Sequence, residues 1–150
     1  MESDNFPEVL DLIHREDPRF DKNAYRFVRQ ALEYTLKEHA GKADAGGRRH
    51  VTGMELLDGI REYALNQFGP LTLTVFLEWN IRRCEDFGEI VFQLVDYGIL
   101  GKTDNDRKSD FSGRYDFEEA FLFPFLPKNK RRTLQRHKAR ANKEQGNHAN

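Results

Sequence analysis

Residues 75–100 contain two short apolar stretches at helical spacing on either side of a tight turn. The first ends at Trp79, and the next residue, Asn80, is of a type that tolerates the left-handed conformation of a turn. The second covers about residues 84–97 and stops at Gly98, the residue type that most often follows a helix. We therefore predict a helix-turn-helix that leads through Gly-Ile-Leu into a short strand.

The flanking segments extend this pattern. Apolar stripes predict two helices before residue 40, and Thr52-Gly53-Met54-Glu55 is a capping box that opens a third. We expect Gly98–Thr103 and Gly113–Tyr115 to pair as a small hairpin, followed by a short helix that Asp116 caps. The sequence thus predicts a mainly α fold with one small β-hairpin, in which a winged-helix-like core over roughly 53–117 carries an N-terminal helical extension.

Charge divides the chain into two parts. Residues 128–150 hold eight basic side chains and one acidic side chain, a net charge of +7, whereas residues 1–127 hold 16 basic and 24 acidic side chains, a net charge of −8. Segments with high charge and few apolar residues do not bury enough surface to offset their ordering entropy. We predict a single domain over residues 1–127, with a flexible loop at about 41–50, and a disordered or transiently helical basic tail over 128–150.

Several functional classes lack support in the sequence. No apolar run approaches the roughly 20 residues that span a bilayer, the acidic start does not resemble a signal peptide, and the single cysteine favours a reducing cytoplasmic setting. The five histidines show no metal-ligand spacing, and there is no phosphate-binding or dinucleotide glycine motif. We therefore predict a non-enzymatic protein that uses no cofactor or metal.

The second helix of the helix-turn-helix is acidic on its predicted solvent side, where a DNA-reading helix would present basic or amide side chains. Carboxylates repel phosphates, so direct base readout by this helix is disfavoured. We predict instead a binding or adaptor module in which this helix face contacts an unknown protein partner. The predicted protein-interaction residues are Arg82, Arg83, Glu85, Asp86, Glu89 and Gln93.

A nucleic-acid-binding regulator is the alternative hypothesis, with the contacts made by the wing and the tail. Cations in both segments can neutralise phosphates of RNA or DNA. The tail can also bind an anionic membrane surface or the protein's own acidic body, or be a solubilising extension, and acidic residues dilute the wing. The candidate phosphate-binding residues are Lys102, Arg107, Lys108, Arg114, Lys128, Lys130, Arg131, Arg132, Arg136, Lys138 and Arg140.

Two further residues of the second helix suggest hypotheses. Cys84 lies at the predicted helix N-terminus after two arginines, a setting that favours a thiolate and a thiol or redox function, although a structural, partly buried cysteine fits the pattern better. Gly88 lies in mid-helix, where glycine costs about 1 kcal/mol relative to alanine. We therefore predict a close approach of another backbone or helix at Gly88.

Several segments resemble a family of conserved bacterial proteins described chiefly from planctomycetes and verrucomicrobia. The resemblance covers roughly residues 6–126 and is most specific at Arg82-Arg83-Cys84-Glu85-Asp86-Phe87-Gly88-Glu89. The other similar segments are Asp17–Arg19, Ala24–Leu32, Thr52–Gly69, the rest of Arg82–Thr103, and Tyr115–Phe121. The resemblance implies a cytoplasmic bacterial protein and brings no activity, cofactor or site residue with it, and the basic tail lies outside it.

Overall fold

A computed structural model describes residues 5–38, 51–101 and 107–148, with side chains described as far as residue 141. Seven α-helices and three short 3-10 turns lie in these ranges. The helices are α1 (Phe6–Glu16), α2 (Lys22–Glu38), α3 (Gly53–Phe68), α4 (Thr72–Glu78), α5 (Cys84–Asp96), α6 (Phe117–Phe121) and α7 (Lys128–His148). The 3-10 turns are Gly69–Leu71, Lys108–Phe111 and Phe123–Phe125. The predicted flexible loop at about 41–50 lies outside the described residues.

The predicted β-hairpin is wrong, since the described residues form no strand. Gly98 ends α5 with φ 79°, and the amides of Ile99 and Leu100 both donate to the carbonyl of Leu94. The Gly-Ile-Leu segment therefore folds back on the helix end, so its amides are not available to a strand partner. Farther along, Lys108–Phe111 is a 3-10 turn that buries Phe111. Without a wing, the winged-helix assignment is overturned as well.

The helix starts and stops that the sequence predicted are in place. Thr52 and Glu55 form the capping box of α3, in which each side chain accepts a hydrogen bond from the other residue's amide at 3.1 Å. Asn80 adopts φ 64° in the turn between α4 and α5. Its side-chain amide donates to the carbonyl of Arg19 at 2.9 Å, so the turn is joined to the α1–α2 connection.

A cluster of aromatic rings forms the centre of the core. Phe76 of α4 is fully buried, and four phenylalanine rings lie within 6 Å of it, centroid to centroid: Phe27, Phe87, Phe117 and Phe121. These rings come from α2, α5 and α6, so the short helix α4 is the element around which the longer ones pack. Aromatic pairs of this kind contribute about 0.5–1.5 kcal/mol beyond their buried area.

Glycines allow close contact at two points of this packing. A Cβ added at Gly59 of α3 would lie 1.8 Å from Oγ1 of Thr35 in α2. A Cβ added at Gly88 of α5 would lie 2.9 Å from Cβ of Phe111. Gly88 therefore does allow a close approach, but the approaching group is the side chain of a phenylalanine on a 3-10 turn and not the helix or backbone that was predicted.

In the structure, Lys128–His148 of the basic tail form helix α7, where the sequence predicted a disordered or transiently helical segment. An isolated helix of this composition would be marginal in water. Contacts with the rest of the chain add the stability that intrinsic helix propensity does not provide. Three residues at helical spacing on one face are partly buried: Arg131, Leu134 and Lys138. The sequence analysis missed this face because only one of the three residues is apolar.

Candidate functional site

The acidic side chains at the start of α5 make contacts within the chain. Asp86 accepts hydrogen bonds from the amides of Arg82 at 2.8 Å and Arg83 at 3.2 Å. It therefore gives hydrogen-bond partners to two backbone amides just before the helix begins. Glu85 accepts from the amide of Gly113 at 3.1 Å. Both carboxylates therefore hold backbone in place, and Glu85 ties α5 to the segment before α6.

Glu89, one turn farther along α5, lies between two cations. Its Oε2 is 3.5 Å from a guanidinium nitrogen of Arg19 and 3.4 Å from Nζ of Lys108. Arg19 also forms a bidentate pair with Asp17, with nitrogen–oxygen distances of 2.7–3.0 Å. These exposed pairs contribute little individually to stability. They do neutralise much of the charge that the sequence assigned to a partner-binding face.

Gln93 is also engaged inside the chain. Its side-chain carbonyl accepts from the hydroxyl of Tyr25 at 2.6 Å, and its amide donates to Asp17 at 2.8 Å. Burial raises the pKa of Tyr25 to about 12, so its hydroxyl remains a donor at neutral pH. The hydrogen bond from the Arg19 guanidinium holds the pKa of Asp17 below its usual value. The one amide that sequence analysis considered for base readout thus joins α5 to α2 and to the α1–α2 connection.

Arg82 and Arg83 are the most accessible members of the predicted protein-interaction set. Both are exposed, and the Arg83 side chain keeps 70% of its accessible surface. Arg83 lies 3.8 Å from a carboxylate oxygen of Asp86, and Arg82 donates to the side-chain carbonyl of Asn80 at 3.3 Å. Of the predicted interaction face, these two cations offer the largest free surface.

The cations assigned to the wing do not form one surface. Lys102 lies outside the described residues, Arg107 precedes the 3-10 turn as an exposed residue, and Lys108 pairs with Glu89. Arg114 makes a bidentate pair with Asp58 of α3 at 2.9 and 3.0 Å. This pair borders a cavity of about 320 Å³, but the cavity is lined by acidic and basic side chains alike, which gives it no net preference for an anion.

Cys84 is enclosed by the fold. The residue retains 1% of its accessible surface, and its thiol donates to the carbonyl of Tyr115 at 3.3 Å. Burial raises the pKa of the thiol, which opposes the thiolate that the helix N-terminus and the arginines would favour. These features weigh against a thiol or redox function. In the described residues, no group of three or more His, Cys, Asp or Glu side chains is placed to hold a metal.

Helix α7 is attached to the body through one face. The Arg131 guanidinium donates to the carbonyls of Leu126 at 2.6 Å and Pro124 at 2.9 Å. Seven residues later, Lys138 pairs with Asp116 and lies 3.6 Å from Glu118, with its ammonium 5.8 Å from the centroid of the Phe123 ring. Partial burial alone would raise the pKa of Asp116, but the Lys138 ammonium and the helix amides keep it below its usual value.

The other face of α7 carries an exposed row of cations, here called the basic stripe: Lys128, Arg132, Arg136 and Arg140. Their four-residue spacing advances each about 6 Å along the axis and about 40° around it, so the row spans about 18 Å and an arc of about 120°. Within the described part of the chain, no carboxylate pairs with any of the four. All four residues were predicted from the sequence as phosphate-binding candidates, and their four-residue spacing is visible there.

The residue that sequence analysis missed is Phe125. It keeps 44% of its accessible surface, whereas Phe123, two residues earlier, is buried. No described helix is both long and apolar enough to cross a membrane. In comparisons with protein-family models, curated proteins and solved structures, the chain matches none.

Proposed function

We propose that this chain is a non-enzymatic binding module whose helix α7 binds the phosphate backbone of nucleic acids. The observation that carries the proposal is the basic stripe, in which four exposed cations share one face and lack a carboxylate partner among the described residues. A nucleic acid carries condensed counterions along its phosphates, and exposed cations of a protein displace them on binding. The release of these counterions supplies most of the affinity in sequence-independent binding.

The anchoring of α7 supports the same function. Arg131 and Lys138 attach the helix to the body through their own contacts. The four cations of the basic stripe are not used for this attachment and remain exposed. An ordered helix also pays less entropy on binding than a disordered tail that must fold at that moment. The net charge of −8 on residues 1–127 repels a polyanion and confines contact to the helix.

A salt series tests the proposal. We would measure binding of the full chain to labelled oligonucleotides by fluorescence anisotropy across increasing salt concentrations. Four phosphate contacts predict a slope of about −2.8 for log affinity against log salt on a single strand. Replacing Arg132, Arg136 and Arg140 together by Gln should flatten the slope by about 2.

The matched control replaces three exposed arginines of the body, Arg15, Arg26 and Arg61, by Gln. This variant has the same net charge as the stripe variant but an intact stripe, so its salt slope should equal that of the unmodified chain. If the two triple variants lose affinity equally, total charge is responsible and the stripe is not the binding surface.

Protein interaction beside α5 is a second proposal, and the exposure of Arg82 and Arg83 favours it. The carboxylates are poor probes of this surface, because reversing Glu85 or Glu89 would also break contacts within the chain. Replacing Arg82 and Arg83 by Ala leaves those contacts intact. Loss of a cross-linked partner in this variant, with an unchanged melting temperature, would support an adaptor role, and retention of the partner would remove it.

A further inference from the structure

The short 3-10 turn before α7 exposes one aromatic ring and buries another. Phe123 keeps 5% of its accessible surface and lies beneath Lys138, whereas Phe125 keeps 44%. Pro124 stands between them. Of the large hydrophobic side chains that are exposed in the described residues, Phe125 is the only aromatic one. Its ring is therefore available to a planar ligand.

The backbone that carries Phe125 is held by several hydrogen bonds. The amide of Phe125 donates to Leu122 at 3.0 Å, and the amide of Leu126 donates to Phe123 at 3.0 Å. The Arg131 guanidinium closes the turn from the other side through the carbonyls of Pro124 and Leu126. A fixed turn presents the ring with little ordering entropy left to lose on binding.

Phe125 also lies next to the basic stripe. Lys128 lies three positions after it in the chain, so their Cα atoms are at most about 11 Å apart. Residues 128–150 contain no Phe, Tyr or Trp, so α7 itself offers cations and the small imidazole rings of His137 and His148 but no large aromatic ring. The turn supplies what the helix lacks.

We infer that Phe125 is a base-stacking platform, and that the ligand of α7 is single-stranded nucleic acid. This inference rests on the proposed function. In a duplex, base faces are already stacked on their neighbours, whereas a single strand can lay a base on an aromatic ring while cations follow its backbone. A stacking contact tolerates any base, which agrees with a stripe that reads only phosphates.

The test uses the full chain with a labelled oligothymidine and, separately, a labelled duplex, each titrated across a salt series. Phe125→Ala should weaken single-strand affinity by about 5- to 150-fold, the range of base–aromatic stacking. Its salt slope and its duplex affinity should not change, since no cation is removed. Phe125→Tyr keeps the ring and should bind the single strand as the unmodified chain does, whereas Phe125→Leu keeps an apolar side chain and should not. Equal melting temperatures confirm that the exposed site tolerates these changes.

The two proposals fail in different ways. If the unmodified chain binds oligothymidine but Phe125→Ala binds within about twofold of it, the stacking inference is overturned and the stripe remains. The same conclusion follows if Phe125→Leu retains full affinity or if single-strand and duplex binding weaken alike. If the unmodified chain binds neither ligand even at low salt, the proposed function fails and the inference with it.

Discussion

Replacing Gly59 by Ala should destabilise the fold through the contact between α2 and α3. An added Cβ would lie 1.8 Å from Oγ1 of Thr35 and 2.8–2.9 Å from its Cβ and Cγ2. Thr35 is fully buried, and its hydroxyl donates to the carbonyl of Ala31 at 2.7 Å. Its side chain is β-branched and stiff about χ1, and rotation would leave its own Cβ in the way. The helices must therefore move apart.

Three contributions set the size of the effect. Overpacking of a tight core costs about 1–3 kcal/mol, and a contact this short belongs at the upper end. Disturbing the Thr35 hydrogen bond costs about 1 kcal/mol more. The better helix propensity of alanine returns about 1 kcal/mol. We expect a net loss of about 3 kcal/mol in the free energy of unfolding, which lowers the melting temperature of a chain of this length by about 6–12 °C.

Thermal and urea unfolding followed by circular dichroism measure this loss. Gly101→Ala is the control, since nothing lies within 4 Å of its Cβ position and surface changes stay within about 0.5 kcal/mol. Combining Gly59→Ala with Thr35→Ala removes Oγ1 and Cγ2 of Thr35 and leaves only its Cβ, at 2.8 Å, so the pair should recover more than about 1 kcal/mol relative to additivity. A Gly59→Ala variant that melts with the unmodified chain, or a strictly additive pair, would refute the close-contact reasoning.

Three further outcomes follow from the described contacts. Gly88→Leu should be severely destabilising, because its Cβ would meet Phe111 at 2.9 Å; a melting temperature equal to that of the unmodified chain would contradict this. Iodoacetamide should label Cys84 more slowly in native than in denatured protein at neutral pH, since burial raises the pKa of its thiol, and equal rates would show an accessible thiol. The Asp116–Lys138 pair should stabilise α7 fully above the carboxyl's ordinary pKa of 3.8 and lose its effect as the pH falls through the lowered folded value. The protection factors of the α7 amides, which correct for the slower intrinsic exchange in acid, should therefore fall on acidification, but not in Lys138→Gln, where the pair is already absent.

The local signals in the sequence predicted helix ends well. The capping box at Thr52, the turn at Asn80 and the stop at Gly98 depend on residues next to each other in the chain, and all three are in place. The hairpin failed because Gly-Ile-Leu after a helix is compatible both with a strand and with a chain that folds back. In the structure the chain folds back, because the Leu94 carbonyl accepts hydrogen bonds from the amides of both Ile99 and Leu100. Nothing in the local pattern distinguishes these two outcomes.

The candidate site was harder to predict than the helices. Amphipathic periodicity placed Glu85, Asp86 and Glu89 on the solvent side of α5, but it carries no information about which loop returns to cover that side. Gly113, Arg19 and Lys108 do so from distant positions in the chain. A charged face inferred from one helix is thus a statement about that helix alone. Its charge in the fold depends on contacts of long sequence separation.

The cations of α7 divide into two groups with different physical roles. Arg131 and Lys138 each have partners on the body. These contacts offset the entropy lost when α7 becomes ordered, since a helix of this composition would have only marginal stability alone. The side chains of the stripe make no hydrogen bond or ion pair with the body among the described residues, and like charges at four-residue spacing repel one another. Such repulsion is a cost that a polyanion would remove. The helix is attached through one face, and the charge repulsion lies on the other. Replacing the stripe cations by neutral residues would therefore stabilise the isolated chain, and it would abolish the counterion release on which our proposed binding depends.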